Sequence, residues 1–178
     1  MSDALRLALV GCGGISGAHV AGFRELWNRG CREVVYTACC DTSEANARQR
    51  AKELADIQGA EPQVFTGVPA ILKAKVADAA DACLPHHLHH TLAEELLAGG
   101  LHLLIEKPLG ITLKAGLRMI EAAKRAKRVL ATAENTRRCL SSRACAWALR
   151  EKKIVGEMRA ANIQILKHSP FDYEKPLF

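Results

Sequence analysis

Two rhythms of apolar and polar positions alternate along this chain. Short, nearly unbroken apolar runs read as buried strands over 5–10, 32–40, 63–65, 80–84, 101–105 and 129–132. Between them, apolar residues recur at three and four places, predicting helices over about 16–28, 43–54, 69–75 and 87–98, and another that starts at Thr112. That last helix is expected to bury Leu113, Leu117 and Ile120, which fall at helical spacing. Local chemistry supports the boundaries: Asp41, Thr42 or Ser43 can cap the second helix, Pro69 suits a first turn, and Gly99 with Gly100 closes the fourth helix. Strand and helix in strict alternation give an α/β fold, a doubly wound parallel sheet of the Rossmann kind.

The rhythm changes near residue 135. A helix over 141–152, punctuation at Gly156 and an alternating strand over 157–167 follow, and then a tail over 169–178 without a regular period. The expected division is therefore a Rossmann-type domain over 1–135 and, over 136–178, a connecting helix with the first strand of a second α/β domain that stops short.

Composition narrows the class further. No run approaches the roughly eighteen apolar residues of a membrane span, and Met1 to Arg6 leads into a strand pattern without a signal-peptide layout. A cytoplasmic protein with no membrane partner is expected. Seven cysteines, with no C-x-x-C pair and mostly inside apolar runs, read as reduced and structural. The net charge of +6 comes from basic residues scattered over helices, with only four Phe, two Tyr and two Trp to stack on bases. The densest basic run, Lys124, Arg125, Lys127 and Arg128, falls where a helix ends and its dipole favours cations. Nucleic acid is not an expected partner.

Three motifs carry chemistry. Gly11-Cys12-Gly13-Gly14-Ile15-Ser16-Gly17 lies between a predicted strand and a predicted helix, the context in which a glycine pattern binds a dinucleotide. Gly11 permits a tight turn, Gly13 lets backbone approach a pyrophosphate, and the helix N-terminus offers N–H groups and partial positive charge. Ser16 stands where a third glycine is usual, and a small side chain there still allows close packing. Asp41 ends the second strand, where a carboxylate can accept from both ribose hydroxyls and repel a 2′-phosphate, so NAD is favoured, with NADP the alternative. Asp41 can also act as a helix cap, and the two roles can coexist.

The second motif, Pro85-His86-His87-Leu88-His89-His90, sits at the mouth of the fourth strand. His86 and His90 have ligand spacing, but no acidic residue or cysteine lies within the motif itself, so no metal is expected. Contact of Pro85, His86 or His89 with the cofactor is the expected role. Third, Glu106-Lys107-Pro108 follows the fifth strand. A lysine at a carboxyl strand end can polarise a substrate oxygen or help carry its proton, and Glu106 can hold it by charge.

Gly11-Cys12-Gly13-Gly14-Ile15, His19, Asp41, Pro85 with His89, Gly100 to Pro108, and Ala133-Glu134-Asn135-Thr136-Arg137 together resemble the Gfo/Idh/MocA family of oxidoreductases, over about residues 5–166. The resemblance implies a Rossmann domain followed by an α/β domain with an open sheet. It also implies NAD(P)-dependent oxidation or reduction of sugars, cyclitols or dihydrodiols, with Lys107 matching the active-site lysine and Asn135 within the cofactor-binding pattern. The family's further catalytic aspartate and histidine would lie beyond residue 178. Two functions follow as expectations: an oxidoreductase acting on a small polyol-like substrate, or a dinucleotide-binding module without turnover. Self-association into a homo-oligomer is left open.

Overall fold

The structure, a computed structural model, describes residues 4–164. Its backbone divides into two compact units, Met1–Glu134 and Asn135–Phe178.

In the first unit, β1 (Leu5–Val10) runs into α1 (Ser16–Asn28), followed by β2 (Val34–Cys40), α2 (Glu44–Gln58), β3 (Gln63–Phe65) and α3 (Val68–Ala74). The second half repeats the alternation with β4 (Ala79–Ala82), α4 (His89–Ala98), β5 (His102–Glu106), α5 (Leu113–Ala126) and β6 (Leu130–Ala133). Hydroxyl caps start two of the helices: Ser43 accepts from the Asn46 N–H and Thr112 from the Ala115 N–H. The predicted helix over 87–98 opens as a short 3-10 turn, His86–Leu88, before α4 begins at His89.

All five strand pairings are parallel, in the order β3-β2-β1-β4-β5-β6. This is the doubly wound sheet that the alternation predicts. Chain order reverses between β1 and β4, which opens a crevice at the carboxyl ends of those strands. Register brings the strand ends to a common edge: Val10 lies opposite both Cys40 and Ala82, Ala82 opposite Ile105, and Glu106 opposite Ala133.

Helices cover the sheet from both sides. On one face, Val68 and Ile71 of α3, Ala93, Leu96 and Leu97 of α4, and Met119, Ala122 and Ala123 of α5 pack on Ala8, Val10, Ala80, Leu103 and Ile105. On the other, Val20 and Phe23 of α1 and Ala47, Ala51 and Leu54 of α2 pack on Leu9, Tyr36 and Cys39. Phe23 meets Tyr36 edge-on at 5.0 Å between ring centroids.

The expectation for α5 is overturned. Leu113 is 89% exposed and Leu117 60%, with Ile120 also on the surface, whereas Ala115, Met119, Ala122 and Ala123 are buried. Spacing reveals that a helix has an apolar stripe but does not say which stripe meets the sheet. Small side chains let a helix axis approach the strands closely, and here the alanine-rich face wins that position.

In the second unit, a 3-10 turn (Thr136–Arg138) leads to α6 (Leu140–Arg150). The strand expected over 157–167 is not formed over 157–164, and 165–167 lies outside the described residues, as does the tail over 169–178. A strand needs a hydrogen-bonding neighbour, and among the described residues this unit contains none. The cysteines also divide: Cys12, Cys39, Cys40 and Cys83 are buried thiols, but Cys139 and Cys145 are exposed. Cys139 stands just before α6 without a side-chain cap bond, and hydrogen bonds with the Ser141 and Ser142 hydroxyls lower its thiol to about 7.

Two outcomes follow from this packing. In urea denaturation, Met119→Ala lowers the unfolding free energy by about 3 kcal/mol, while Leu113→Gln changes it by less than about 0.5 kcal/mol. With limiting iodoacetamide at pH 7.5, peptide mass spectrometry finds Cys139 alkylated first and the four buried thiols protected.

Candidate functional site

The first loop is shaped by Gly11, whose φ of +88° lies in the left-handed region. A Cβ at this position would stand 2.2 Å from the Cys83 carbonyl oxygen, so only glycine lets β1 turn beside β4. Beyond the turn, Cys12 is buried and its N–H donates to Asp41 Oδ2 at 2.7 Å. α1 then begins with no side-chain cap and no acidic residue in its first turn. The N–H groups of Gly13, Gly14 and Ile15 make no hydrogen bond among the described residues, and Cβ atoms on Gly13 or Gly14 would meet nothing within 4 Å. Unpaired N–H groups, open space and a positive helix end make a cradle that fits a diphosphate.

Ser16 is more than a tolerated replacement for glycine. It is fully buried, and its hydroxyl donates to the Gly13 carbonyl at 2.5 Å while accepting from Arg50 Nε at 2.9 Å. A second Arg50 nitrogen donates to the same Gly13 carbonyl at 3.1 Å. Gly17 makes room, since a Cβ there would stand 3.1 Å from the guanidinium. Arg50 of α2 therefore grips the loop through its carbonyl and leaves the N–H groups free. Glu53, 2.5 Å from Arg50, steadies the clamp; burial pushes its carboxyl up, but hydrogen bonds from Arg50 and Gln49, with the charges of Arg50 and Arg24, together bring it below the ordinary value. Nothing in the glycine motif pointed to Arg50.

Asp41 stands at the end of β2. Oδ1 accepts from the Ser43 N–H at 2.8 Å and Oδ2 from the Cys12 N–H. Ser43, not Asp41, is the side-chain cap of α2. Each carboxylate oxygen accepts more than one hydrogen bond, so Asp41 keeps capacity for ribose hydroxyls while it fixes the loop.

Behind the loop lies a buried charge cluster. His19, one turn into α1, places Nδ1 at 2.9 and 3.0 Å from the Asp81 oxygens and Nε2 at 3.0 Å from Glu106 Oε1. Asp81 of β4 is 3% exposed and also accepts from the Tyr36 hydroxyl at 2.6 Å. Hydrogen bonding to Asp81, then to Cys83, raises the imidazole to about 11 against the opposing pull of burial, so His19 is a cation at neutral pH. Burial, with Asp81 beside it, pushes the Tyr36 phenol up and keeps it neutral. His19, Asp81 and Cys83 also bring one ligand atom each within 4.8 Å of one another. Both imidazole nitrogens are already engaged by carboxylates, Nδ1 by Asp81 and Nε2 by Glu106. One signal for this cluster was legible: an aspartate inside the otherwise apolar β4 run needs a partner.

Glu106 ends β5, with Oε1 on His19 and Oε2 accepting from the Lys107 N–H at 2.9 Å. The Lys107 side chain is exposed at this edge, as are Pro85 and His86. His89 sits elsewhere than expected. It is fully buried, with Nδ1 2.9 Å from the Pro108 carbonyl and Nε2 3.0 Å from the Leu84 carbonyl, so both ring nitrogens tie loops together and neither is left for a ligand. Asn135 opens the second unit, at the start of its 3-10 turn. The structure thus gathers Gly11 to Ser16, Asp41, Glu106 and Lys107 along the carboxyl edge of one sheet.

A cavity of about 360 Å³ lies at the opposite edge, among Arg6, Lys75, Asp78, His102 and Arg128. Three of its charges are engaged locally: Arg6 pairs with Asp78 at 2.6 Å, and Arg128 Nε donates to the Gly100 carbonyl at 2.5 Å.

Residues 5–134 match the model of an oxidoreductase family described as having an NAD-binding Rossmann fold. No curated protein matches the chain. Among solved structures, the WlbA dehydrogenase from Chromobacterium violaceum, in complex with NADH and UDP-GlcNAcA, is 27% identical with a TM-score of 0.71, over 85% of this chain and 41% of its own. An NAD-binding oxidoreductase from Klebsiella pneumoniae is 25% identical with a TM-score of 0.71, over 87% of this chain and 40% of its own. A myo-inositol 2-dehydrogenase from Lactobacillus plantarum shares the fold at 21% identity and a TM-score of 0.72, over 85% of this chain and 42% of its own. The chain therefore spans about two-fifths of the length of these solved proteins.

The charge on His19 sets a pH dependence. Its folded pKa, about 11, lies above the ordinary 6.5, so its stabilising contribution is complete below pH 6.5 and is lost as pH rises toward 11. Urea denaturation between pH 6.5 and 8.5 is expected to give a stability that falls by up to about 1.4 kcal/mol per pH unit, and His19→Gln removes that part of the slope.

Proposed function

The chain belongs to the Gfo/Idh/MocA oxidoreductase family, with its NAD-binding Rossmann fold, and on that premise we propose that it binds NAD(H), with NADP(H) as the alternative, for hydride transfer at a sugar-type hydroxyl. The observation that carries the reading is the open cradle: three unpaired N–H groups over the side-chain-free faces of Gly13 and Gly14, at the uncapped start of α1. Bound there, the nicotinamide nucleotide supplies the hydride acceptor or donor.

The chain's own residues do the rest. Gly13, Gly14 and Ile15 hold the diphosphate by backbone, and Asp41 accepts from the adenine ribose hydroxyls and disfavours a 2′-phosphate. Lys107, exposed where β5 ends, binds the substrate oxygen and takes part in moving its proton as the carbon is oxidised or reduced. Pro85 and His86, exposed beyond β4, line the cofactor's path at the same edge. The substrate class, a sugar, cyclitol or dihydrodiol, draws on the nucleotide sugar bound by the 27%-identical dehydrogenase. A cytoplasmic location, a substrate domain that begins near residue 136 and a homo-oligomeric assembly belong to the same proposal.

A second reading, dinucleotide binding without turnover, rests on the chain's span of about two-fifths of its solved relatives. Fluorescence titration with NADH and NADPH, then assay on polyols, dihydrodiols and UDP-sugar uronic acids, separates the two. Gly13→Val is expected to weaken nucleotide binding at least about 100-fold, because its side chain fills the diphosphate's place. If the unsubstituted chain turns over, Lys107→Met lowers kcat by at least about 100-fold. Binding that survives Gly13→Val overturns the assigned cradle, and turnover that survives Lys107→Met overturns the lysine's role.

A further inference from the structure

Two hydrogen-bonded links join the helix that begins at the diphosphate cradle to the backbone of Lys107, and a third braces the first of them from β4. Asp81 holds His19 Nδ1, His19 Nε2 holds Glu106 Oε1, and Glu106 Oε2 holds the Lys107 N–H. Nearly everything in the chain is enclosed: Asp81 is 3% exposed and Glu106 9%, and the His19 side chain is 14% exposed. An isolated buried carboxylate would either take up a proton or turn toward water. One oxygen of Glu106 faces His19 Nε2, and this fixes the direction in which the other oxygen points.

We propose that His19 is a positioning residue for Lys107: it sets the Glu106 carboxylate, which in turn sets the backbone that presents the lysine, registering that lysine against the helix that receives the dinucleotide. The inference rests on the proposed role of Lys107 and adds to it the device that fixes its place. Asp81 and Tyr36 complete the support from the far side, since the Tyr36 hydroxyl takes the Asp81 Oδ2 direction and keeps the carboxylate aimed at His19. Cys83, the remaining titratable group against the imidazole, is a neutral thiol.

The two ring nitrogens can be replaced one at a time. The amide nitrogen of His19→Asn lies where Nδ1 is and can still reach Asp81, but not Glu106. That of His19→Gln lies where Nε2 is and can still reach Glu106. Both variants lose the charge, so both are less stable. Amide hydrogen exchange of the 178-residue chain, followed by 15N NMR without nucleotide, reads the link directly.

The expected result is Lys107 amide exchange at least about tenfold faster in His19→Asn than in His19→Gln, relative to amides of β4 and α1 in the same variant. A His19 that only holds elements together would move Lys107 equally in both variants, and that result overturns the proposal. If His19→Asn does not fold, Glu106→Asp takes its place, because the shortened carboxylate cannot span His19 and the Lys107 N–H. A Lys107 amide unchanged there also overturns it. Since this readout needs no cofactor, failure of NADH binding would sink the proposed function while leaving the positioning link to be judged on its own.

Discussion

The close approach of Gly11 to the carbonyl of Cys83 is the constraint on which the site depends. The turn brings β1 out of the sheet directly over the end of β4, at the point where chain order reverses. With any side chain at residue 11 the loop would have to move outward. The Cys12 N–H would then leave Asp41, and α1 would start in a different place with a different direction. The position of the helix end, the bond across to β2 and the exposure of three N–H groups are all consequences of one missing Cβ.

The site is then held by charges placed on the non-ligand side. Arg50 grips the loop's carbonyl and Ser16 its interior, so the loop's acceptors are taken and its donors are not. The buried imidazole between Asp81 and Glu106 works in the same sense, locking α1 to β4 and β5. Such an ion triad adds little net stability over an apolar filling, but it tolerates only one arrangement of its members. It exchanges stability for definition at the place where geometry matters.

The sheet, its order of elements and the glycine loop were legible in the residues, because alternation between two periods and a loop of fixed chemistry are both local signals. Lys107 and Asp41 stood out for the same reason, each ending a strand. What escaped reading depended on direction or on distance. The stripe Leu113, Leu117 and Ile120 was visible as a stripe, yet which face of α5 meets the sheet is settled by the alanines opposite it. His89 read as a ligand contact because it follows a strand, but its ring is turned inward onto two carbonyls. Arg50 lies 34 residues from the serine it serves, and no local pattern could join them. The strand expected over 157–167 failed for a related reason: alternation supplies one side of a ladder, and the second unit supplies no partner among its described residues.

The Ser16 hydroxyl and the Arg50 guanidinium have a bearing on how this sequence can drift. Restoring glycine at 16, as the usual pattern has it, would strand an arginine nitrogen that is now satisfied in a half-enclosed place. Shortening Arg50 alone would leave the serine and the loop carbonyl facing each other without their third member. Neither step is neutral by itself, so the two positions form one heritable character spread over two helices. Swapping loops between proteins of this fold would have to carry the α2 arginine along with the glycines.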